Sequence, residues 1–369
     1  MTKVTDDRQF ECLIVGGGLI GLLTARELQK RGVDVAVVER GIIGGESSWA
    51  GGGILSPLYP WRYDDAVTQL ARWSQQHYPQ LASQLLTESG IDPEYQQNGL
   101  LILDTEDRQQ ACTWAAHWQQ PLEVVTTDTI RALEPALGDA PQQAVWLPRV
   151  GQMRNPRLVQ ALRKSLENSG VPLMEHTAVT SLKVCDNRIA GVYTPGGGIS
   201  ARRVVIAGGA WSAGLLEDTG LSLPVRPVRG QMILFRARPG VVQRIVLSRN
   251  RYVIPRRDGR VLVGSTLEEV GFDKTTTEAA LDALRVEAFR LIPALAQYPV
   301  EHHWAGLRPG SPDGIPYITS HPVIDGLYIN TGHFRNGVVL GLASAHLLAD
   351  ILLEHACDDL DQTPYRLEK

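Results

Sequence analysis

The chain has 369 residues, with 36 Lys and Arg against 40 Asp and Glu and a formal net charge of −4. At roughly 150 residues per domain, that length predicts two domains rather than one core. Hydrophobic residues at 43% and charged residues at 21% match folded globular chains and exclude domain-scale disorder, while the near balance of charge excludes the basic excess of a nucleic-acid binder.

Cys12, Cys112, Cys185 and Cys357 are scattered, without a C-x-x-C or a zinc-ligand spacing, and read as free thiols of a reducing compartment. The leading MTKVTDDRQFE is polar and mixed in charge, unlike a signal peptide. The most apolar long stretch, Gly337 to Leu353, contains His346 and Asp350 and falls short of the roughly 20 apolar residues of a membrane span. The expectation is a cytoplasmic protein that does not cross a membrane.

Residues 11–15 form an apolar run that ends at Gly16-Gly17-Gly18, Leu19 to Lys30 carries helical periodicity, and 33–38 is a second apolar run ending at Glu39. This predicts a β-α-β unit with parallel strands, covered on both faces. A helix is predicted over 64–89, with Leu70, Trp73, Tyr78, Leu81, Leu85 and Leu86 on its apolar stripe. A strand at Leu100 to Leu103 and a Gln/Trp/Ala-rich helix follow, then weaker periodicity to Leu147. Residues 155–169 read as an amphipathic helix with Pro156 in its first turn. Strand-like runs come at 171–175, 179–184, 189–193 and 199–206, the last breaking at Gly208-Gly209. Residues 225–270 are strand-rich, with a turn at Arg257-Asp258-Gly259; a helix covers 277–292, strands 301–307 and 327–331, and a last helix Asn336 to Glu354. The fold class is therefore α/β (α+β overall): a Rossmann-like dinucleotide-binding domain interleaved with a substrate domain on a largely antiparallel sheet. The expected segments are 1–85, 150–224 and 305–369 for the first domain, and 86–149 and 225–304 for the second.

Gly16-x-Gly18-x-x-Gly21 follows a strand, opens a helix, and has Glu39 at the end of the next strand. That is the context a dinucleotide site needs: a tight turn, a close approach of backbone to pyrophosphate, helix packed on strand, and an acidic residue for ribose hydroxyls. The motif does not distinguish NAD from FAD. Six glycines lie between Arg40 and Ser56, interleaved with Ser47, Ser48 and Trp49. A stretch of that length reads either as an exposed loop or as amides lining an extended cofactor, and it favours FAD. Gly332-His333-Phe334-Arg335-Asn336-Gly337 leads into the last helix, either as an ordinary turn or as a helix N-terminus aimed at a flavin ring.

Among the arginines, Arg202, Arg203, Arg256 and Arg257 read as solvated turn charges. Arg308 follows an apolar strand and is flanked by Pro309 and Gly310, where a guanidinium can point into a cleft as a fixed fork for a carboxylate. His302 and His303 are adjacent on a strand, face opposite sides, and do not make a metal pair.

These blocks resemble the D-amino acid oxidase family of FAD-dependent oxidoreductases, and within it the glycine-oxidising branch associated with thiamine biosynthesis. The resemblance rests on Ile14 to Gly21, Glu39, Gly44 to Gly52, Val205 to Ser212, Tyr252 to Arg256, Trp304 to Pro309 and Gly332 to Gly337. It implies an oxidase of glycine, sarcosine or small D-amino acids that reduces oxygen to hydrogen peroxide. Arg308 and Tyr252 would hold the substrate carboxylate, and the backbone at Arg335 would meet the amine. FAD would be held by Gly16, Gly18, Leu19, Ile20, Gly21, Glu39, Arg40, Ser47, Ser48, Gly52, Gly53, Ile54 and Val179, with His333, Phe334, Arg335, Asn336, Gly337, Val338 and Val339 around the flavin ring. No Cys lies near Arg308, so the FAD is expected to be non-covalent. The resemblance also implies a homo-oligomer, no metal, and a thiazole synthase as a possible partner. Another member of the same family (a sarcosine or D-amino acid oxidase, or a dehydrogenase passing electrons to quinone), a nicotinamide-dependent dehydrogenase and a non-catalytic flavoprotein stay open at this point.

Overall fold

In the computed structural model, residues 9–104 and 106–367 are described. They form two eight-stranded sheets. The first runs Tyr317–Ser320, Leu327–Thr331, Gly197–Ile206, Gln9–Val15, Val35–Val38 and Leu173–Met174, with the hairpin Ser181–Cys185 and Arg188–Thr194 joined to Gly197–Ile206. Its four central pairings are parallel, and the outer strand Tyr317–Ser320 and the hairpin pair antiparallel. Cys12, Ile14, Val35 and Val37 feed the core on one face, and Leu13, Val15, Ala36 and Val38 the core on the other. Strand alternation thus buries both faces, as parallel strands require.

The helices on the first face are Leu19–Lys30, Asp65–Ser89, Asn155–Asn168 and Gly337–Leu352, packed against one another. Asp64 caps the long one by accepting from the Ala66 N–H at 2.8 Å. Among the described residues, no helix is long and apolar enough to cross a membrane.

The second sheet runs Val300–Gly310, Arg226–Phe235, Val261–Gly264, Arg251–Pro255, Ile245–Ser248, Leu100–Ile102, Gln143–Leu147 and Glu123–Thr126. Every pairing in it is antiparallel except Ile245–Ser248 with Leu100–Ile102. Helix Glu278–Leu291 packs on one side of it.

Three readings of the sequence need correction. Leu86 is 47% exposed and lies off the buried stripe of its helix. Arg202 and Arg203 sit inside the strand Gly197–Ile206 rather than in a turn. Arg256 is buried, at 9% exposure, because two backbone carbonyls and the Gln152 side-chain oxygen accept its N–H groups, as described below. The short strand Tyr317–Ser320, flanked by Pro316 and Pro322, gives no periodic signal in the sequence.

Candidate active site

The turn after strand Gln9–Val15 needs its glycines. Gly16 has φ +115°, and a Cβ there would lie 2.4 Å from the Ala207 carbonyl oxygen; a Cβ at Gly21 would lie 1.9 Å from the Gly16 carbonyl oxygen. The Glu39 carboxylate accepts from the Gly17 and Gly41 N–H groups, each at 2.8 Å, and Ser48 Oγ accepts from the Leu19 N–H at 2.7 Å. The turn is therefore fixed from outside by the strand and loop that follow it.

A cavity of about 470 Å³ lies along this turn, walled by Gly16, Gly18, Glu39, Arg40 and Val179 among others. A second cavity reaches Gly52, Gly53, Ile54, Tyr252, Arg308, Phe334, Arg335, Gly337 and Val338. Leu19, Ile20, Ser47 and Ser48 line both, which makes them one long cleft past the N-terminus of the first helix. Of the residues singled out from the sequence, Gly21, His333, Asn336 and Val339 do not line it. Gly21 packs helix on strand, and the other three are buried behind the wall.

The far end is built by the second sheet. Arg308 lies opposite Val228 in the pairing of Val300–Gly310 with Arg226–Phe235, and its guanidinium fills the space a side chain at Gly230 would take, 2.1 Å from an added Cβ. It donates to Ser265 Oγ at 2.7 Å and to the Thr266 carbonyl at 3.2 Å, and no carboxylate pairs with it among the described residues. Burial lowers its pKa from the ordinary arginine value; the neighbouring Tyr252 opposes that shift and Arg335 adds to it. The guanidinium stays charged. The Tyr252 ring lies between Gly52 and Gly264, where added Cβ atoms would come within 3.5 and 2.9 Å of its hydroxyl.

The segment into the last helix closes the cleft. The Phe334 N–H donates to the Pro309 carbonyl and the Asn336 N–H to the His333 carbonyl, each at 2.9 Å, and Phe334 takes φ 46°. The first N–H groups of helix Gly337–Leu352 have no intrahelical acceptor, as at any helix start, and here they begin at the cavity wall. His333 Nε2 lies 2.9 Å from Ser344 Oγ, which itself donates to the Leu340 carbonyl. Nε2 therefore carries the proton, leaving Nδ1 a buried acceptor without a partner among the described residues. Burial pushes the pKa of His333 down to about 3, so it is neutral.

Some residues that shape the cleft were missed by sequence reasoning. Asn155 read only as a helix start, yet its Nδ2 donates to the Ser48 carbonyl at 3.0 Å and its buried Oδ1 has no partner among the described residues. Ser265 and Thr266, which hold Arg308, carry no motif. Arg256 donates to the carbonyls of Gly52 and Met153 and to Gln152 Oε1. The only available signal for it was its place in the Tyr252 to Arg256 block.

The cleft fits FAD. The turn admits backbone against a pyrophosphate, a hydroxyl and a helix N-terminus stand beside it, and the N–H groups of Gly52, Gly53 and Ile54 face no acceptor among the described residues. Asn155, which lines the cleft, keeps a buried Oδ1 with no partner among the described residues.

Comparison with known proteins agrees with that fit. The chain is 52% identical over 341 residues to a glycine oxidase of Pseudomonas aeruginosa, covering 92% of this chain and 94% of that one. It is 33% identical to a bifunctional ThiO/ThiG protein of Nostoc, of which it spans 54% while 95% of this chain is covered. The crystal structure of glycine oxidase from Geobacillus kaustophilus superposes with a TM-score of 0.91 at 32% identity, over 98% of this chain and 99% of that one. Residues 11–351 match the family described as FAD dependent oxidoreductase. With a glycine turn, an extended cleft and relatives of this kind, the chain belongs to the FAD-dependent oxidoreductase family, and FAD is its cofactor.

Proposed function

We propose that this protein oxidises glycine and other small amines, sarcosine and small D-amino acids among them, to the 2-oxo acid, ammonia or amine, and hydrogen peroxide. The observation that carries the reading is the Arg308 guanidinium: half-buried, held by neutral oxygens, paired with no carboxylate among the described residues, and facing the same cavity as the free amides of the cofactor loop. The glycine oxidases among its relatives support the choice of amine.

FAD, when bound, supplies the hydride acceptor and returns the electrons to oxygen. The residues proposed to hold it are Gly16, Gly18, Leu19, Ile20, Gly21, Glu39, Arg40, Ser47, Ser48, Gly52, Gly53, Ile54, Val179 and the run from His333 to Val339. Arg308 would take the substrate carboxylate as a planar fork, Tyr252 would add a hydroxyl, and the Arg335 backbone would receive the amine. Fixing the carboxylate at one point fixes the α-hydrogen, and this orientation contributes most of the rate. A deprotonated amine drives hydride loss from the α-carbon, so no side-chain base is required. Water then hydrolyses the imine, and for glycine the products are glyoxylate and ammonia.

The chain segments 1–85, 150–224 and 305–369 are proposed as the FAD-binding domain, and 86–149 and 225–304 as the substrate-binding domain. Cytoplasmic location and self-association belong to the same reading. A thiazole synthase that consumes the glycine imine is the proposed partner, supported by the fused ThiO/ThiG relative. The test is oxygen uptake and peroxide release across a panel of glycine, sarcosine, small D-amino acids and long hydrophobic D-amino acids. Turnover of glycine with one peroxide per amine supports the reading. Far faster turnover of the long D-amino acids would overturn the substrate while leaving the family in place.

A further inference from the structure

Arg256 follows the strand Arg251–Pro255, which also carries Tyr252, and turns inward at 9% exposure. Its Nη1 donates to Gln152 Oε1 at 2.6 Å and to the Met153 carbonyl at 3.0 Å, and its Nη2 donates to the Gly52 carbonyl at 2.7 Å. All three acceptors are neutral. The acceptor on Gln152 is set in advance, because its Nε2 donates to the Pro255 carbonyl at 2.9 Å and to Asn98 Oδ1 at 3.1 Å, leaving Oε1 for the guanidinium. Arg154, Glu94 and Asp258 also act on Arg256 through their charges, but both carboxylates are paired with other arginines, Glu94 with Arg154 and Arg157 and Asp258 with Arg154 and Arg260. Burial pulls the pKa of Arg256 down to about 10, and it remains a cation at neutral pH.

A desolvated cation without a counter-ion is costly, and its placement calls for a reason. The reason lies in what it holds. Gly52 and Gly53 line the cofactor cavity, whereas Arg256 lies behind them and lines a different one. In a trans peptide the carbonyl and the next N–H point in opposite directions. Holding the Gly52 carbonyl from behind therefore aims the Gly53 N–H away from Arg256, to the side where the cavity lies. That N–H has no acceptor among the described residues. The Gly53 carbonyl is in turn held by the Met153 N–H at 2.8 Å, so the whole segment is fixed against residues 151–153.

We propose that Arg256 is a positioning residue for the flavin: from the substrate-sheet hairpin it fixes the Gly52 carbonyl, aims the Gly53 N–H at the cofactor, and sets an uncompensated positive charge behind that wall, favouring the flavin when it gains negative charge. One hairpin then carries both the substrate-facing Tyr252 and the residue that orders the cofactor loop. The inference rests on FAD in this cleft and is independent of which amine is oxidised.

The test compares holoenzymes of the wild type, Arg256→Gln, Arg256→Lys and Gln152→Leu by three flavin readouts: the visible spectrum, the reduction potential against a reference dye, and FAD release on dilution followed by fluorescence. Arg256→Gln is expected to lower the potential and to release FAD at least about tenfold faster, the scale of one charge-assisted bond. Arg256→Lys keeps the potential near wild type and still releases FAD faster, because an ammonium cannot span two carbonyls as the fork does. Gln152→Leu leaves the potential unchanged and quickens release by a few fold. A wild-type potential in Arg256→Gln, or an equal fall in Arg256→Lys, overturns the charge. Wild-type release in both Arg256→Lys and Gln152→Leu overturns the positioning, and this pair decides if Arg256→Gln does not accumulate as holoenzyme. Glycine turnover is measured apart from these, so failure of the substrate assignment is distinguishable.

Discussion

At Arg308 the chemistry reduces to one fork with no anion of its own. A charge-assisted bond contributes about 1.5–3 kcal/mol, and removing one partner of a desolvated pair costs about 2–5 kcal/mol. Arg308→Ala is therefore expected to lower kcat/KM on glycine by at least about a hundredfold while the flavin stays bound. Arg308→Lys recovers part of the loss, since it keeps the charge and loses the planar geometry. Tyr252→Phe costs less than either, because only a neutral hydroxyl goes. Steady-state kinetics with the flavin spectrum as folding control checks the order; an Arg308→Ala enzyme within a few fold of wild type would move the carboxylate elsewhere. His333 makes a second prediction at this scale. Its folded-state pKa of about 3 lies below the ordinary 6.5, so the neutral form is the one the fold accepts. Its contribution to stability is complete above about pH 6.5 and is lost progressively as pH falls toward 3. His333→Gln keeps a donor for Ser344 and cannot be protonated, so its melting temperature should fall less between pH 7.5 and pH 5 than that of the wild type. Half-buried His303 and buried His321 shift the same way but are common to both proteins, so the difference isolates His333.

Among the elements, the pairing of Val300–Gly310 with Arg226–Phe235 places the arginine end of the cleft. In that register Gly230 stands opposite Gly306, and the missing side chain at Gly230 is the space the Arg308 guanidinium occupies. Gly230→Ala is expected to push the guanidinium aside, raising KM for glycine about tenfold or more with little change in the flavin spectrum. An unchanged KM would mean that the side chain has another route to the same position. The last helix acts differently: it contributes its N-terminus, and its first turn is kept at the cleft by the Phe334 and Asn336 N–H bonds and by the buried His333–Ser344 pair.

Across the whole molecule, the cleft runs from the glycine turn of the first sheet to the arginine of the second, so FAD bound along it would touch both. A ligand that binds only the folded state stabilises it in proportion to the logarithm of its concentration over Kd. Added FAD should raise the melting temperature of the flavin-depleted protein. Acid precipitation of the yellow holoenzyme should leave intact FAD in the supernatant, since the four cysteines, Cys12, Cys112, Cys185 and Cys357, all lie away from the wall around Arg308. Flavin carried down with the polypeptide would show a covalent link.

Local rules were enough for the β-α-β unit, the helix Leu19–Lys30, the hairpin around Arg257-Asp258-Gly259 and the last helix, because hydrophobic period and glycine placement act over a few residues. The glycine turn and Glu39 belong to that class too. What makes Gly16 and Gly21 necessary is contact with Ala207 and with the turn itself, and the sequence carries that demand as the absence of side chains. Arg256 shows where local rules stop. Beside Arg257 in a turn it reads as solvated, and its three acceptors come from residues 52, 152 and 153, brought together only when the two sheets meet. Asn155, Ser265 and Thr266 escaped for the same reason: each acts through a partner distant in the chain, and no spacing encodes it. Composition and period determined that there is a dinucleotide turn and an arginine-bearing strand. Only the tertiary structure decided that they face one cleft, because burial, register and long-range hydrogen bonds are properties of the packed chain.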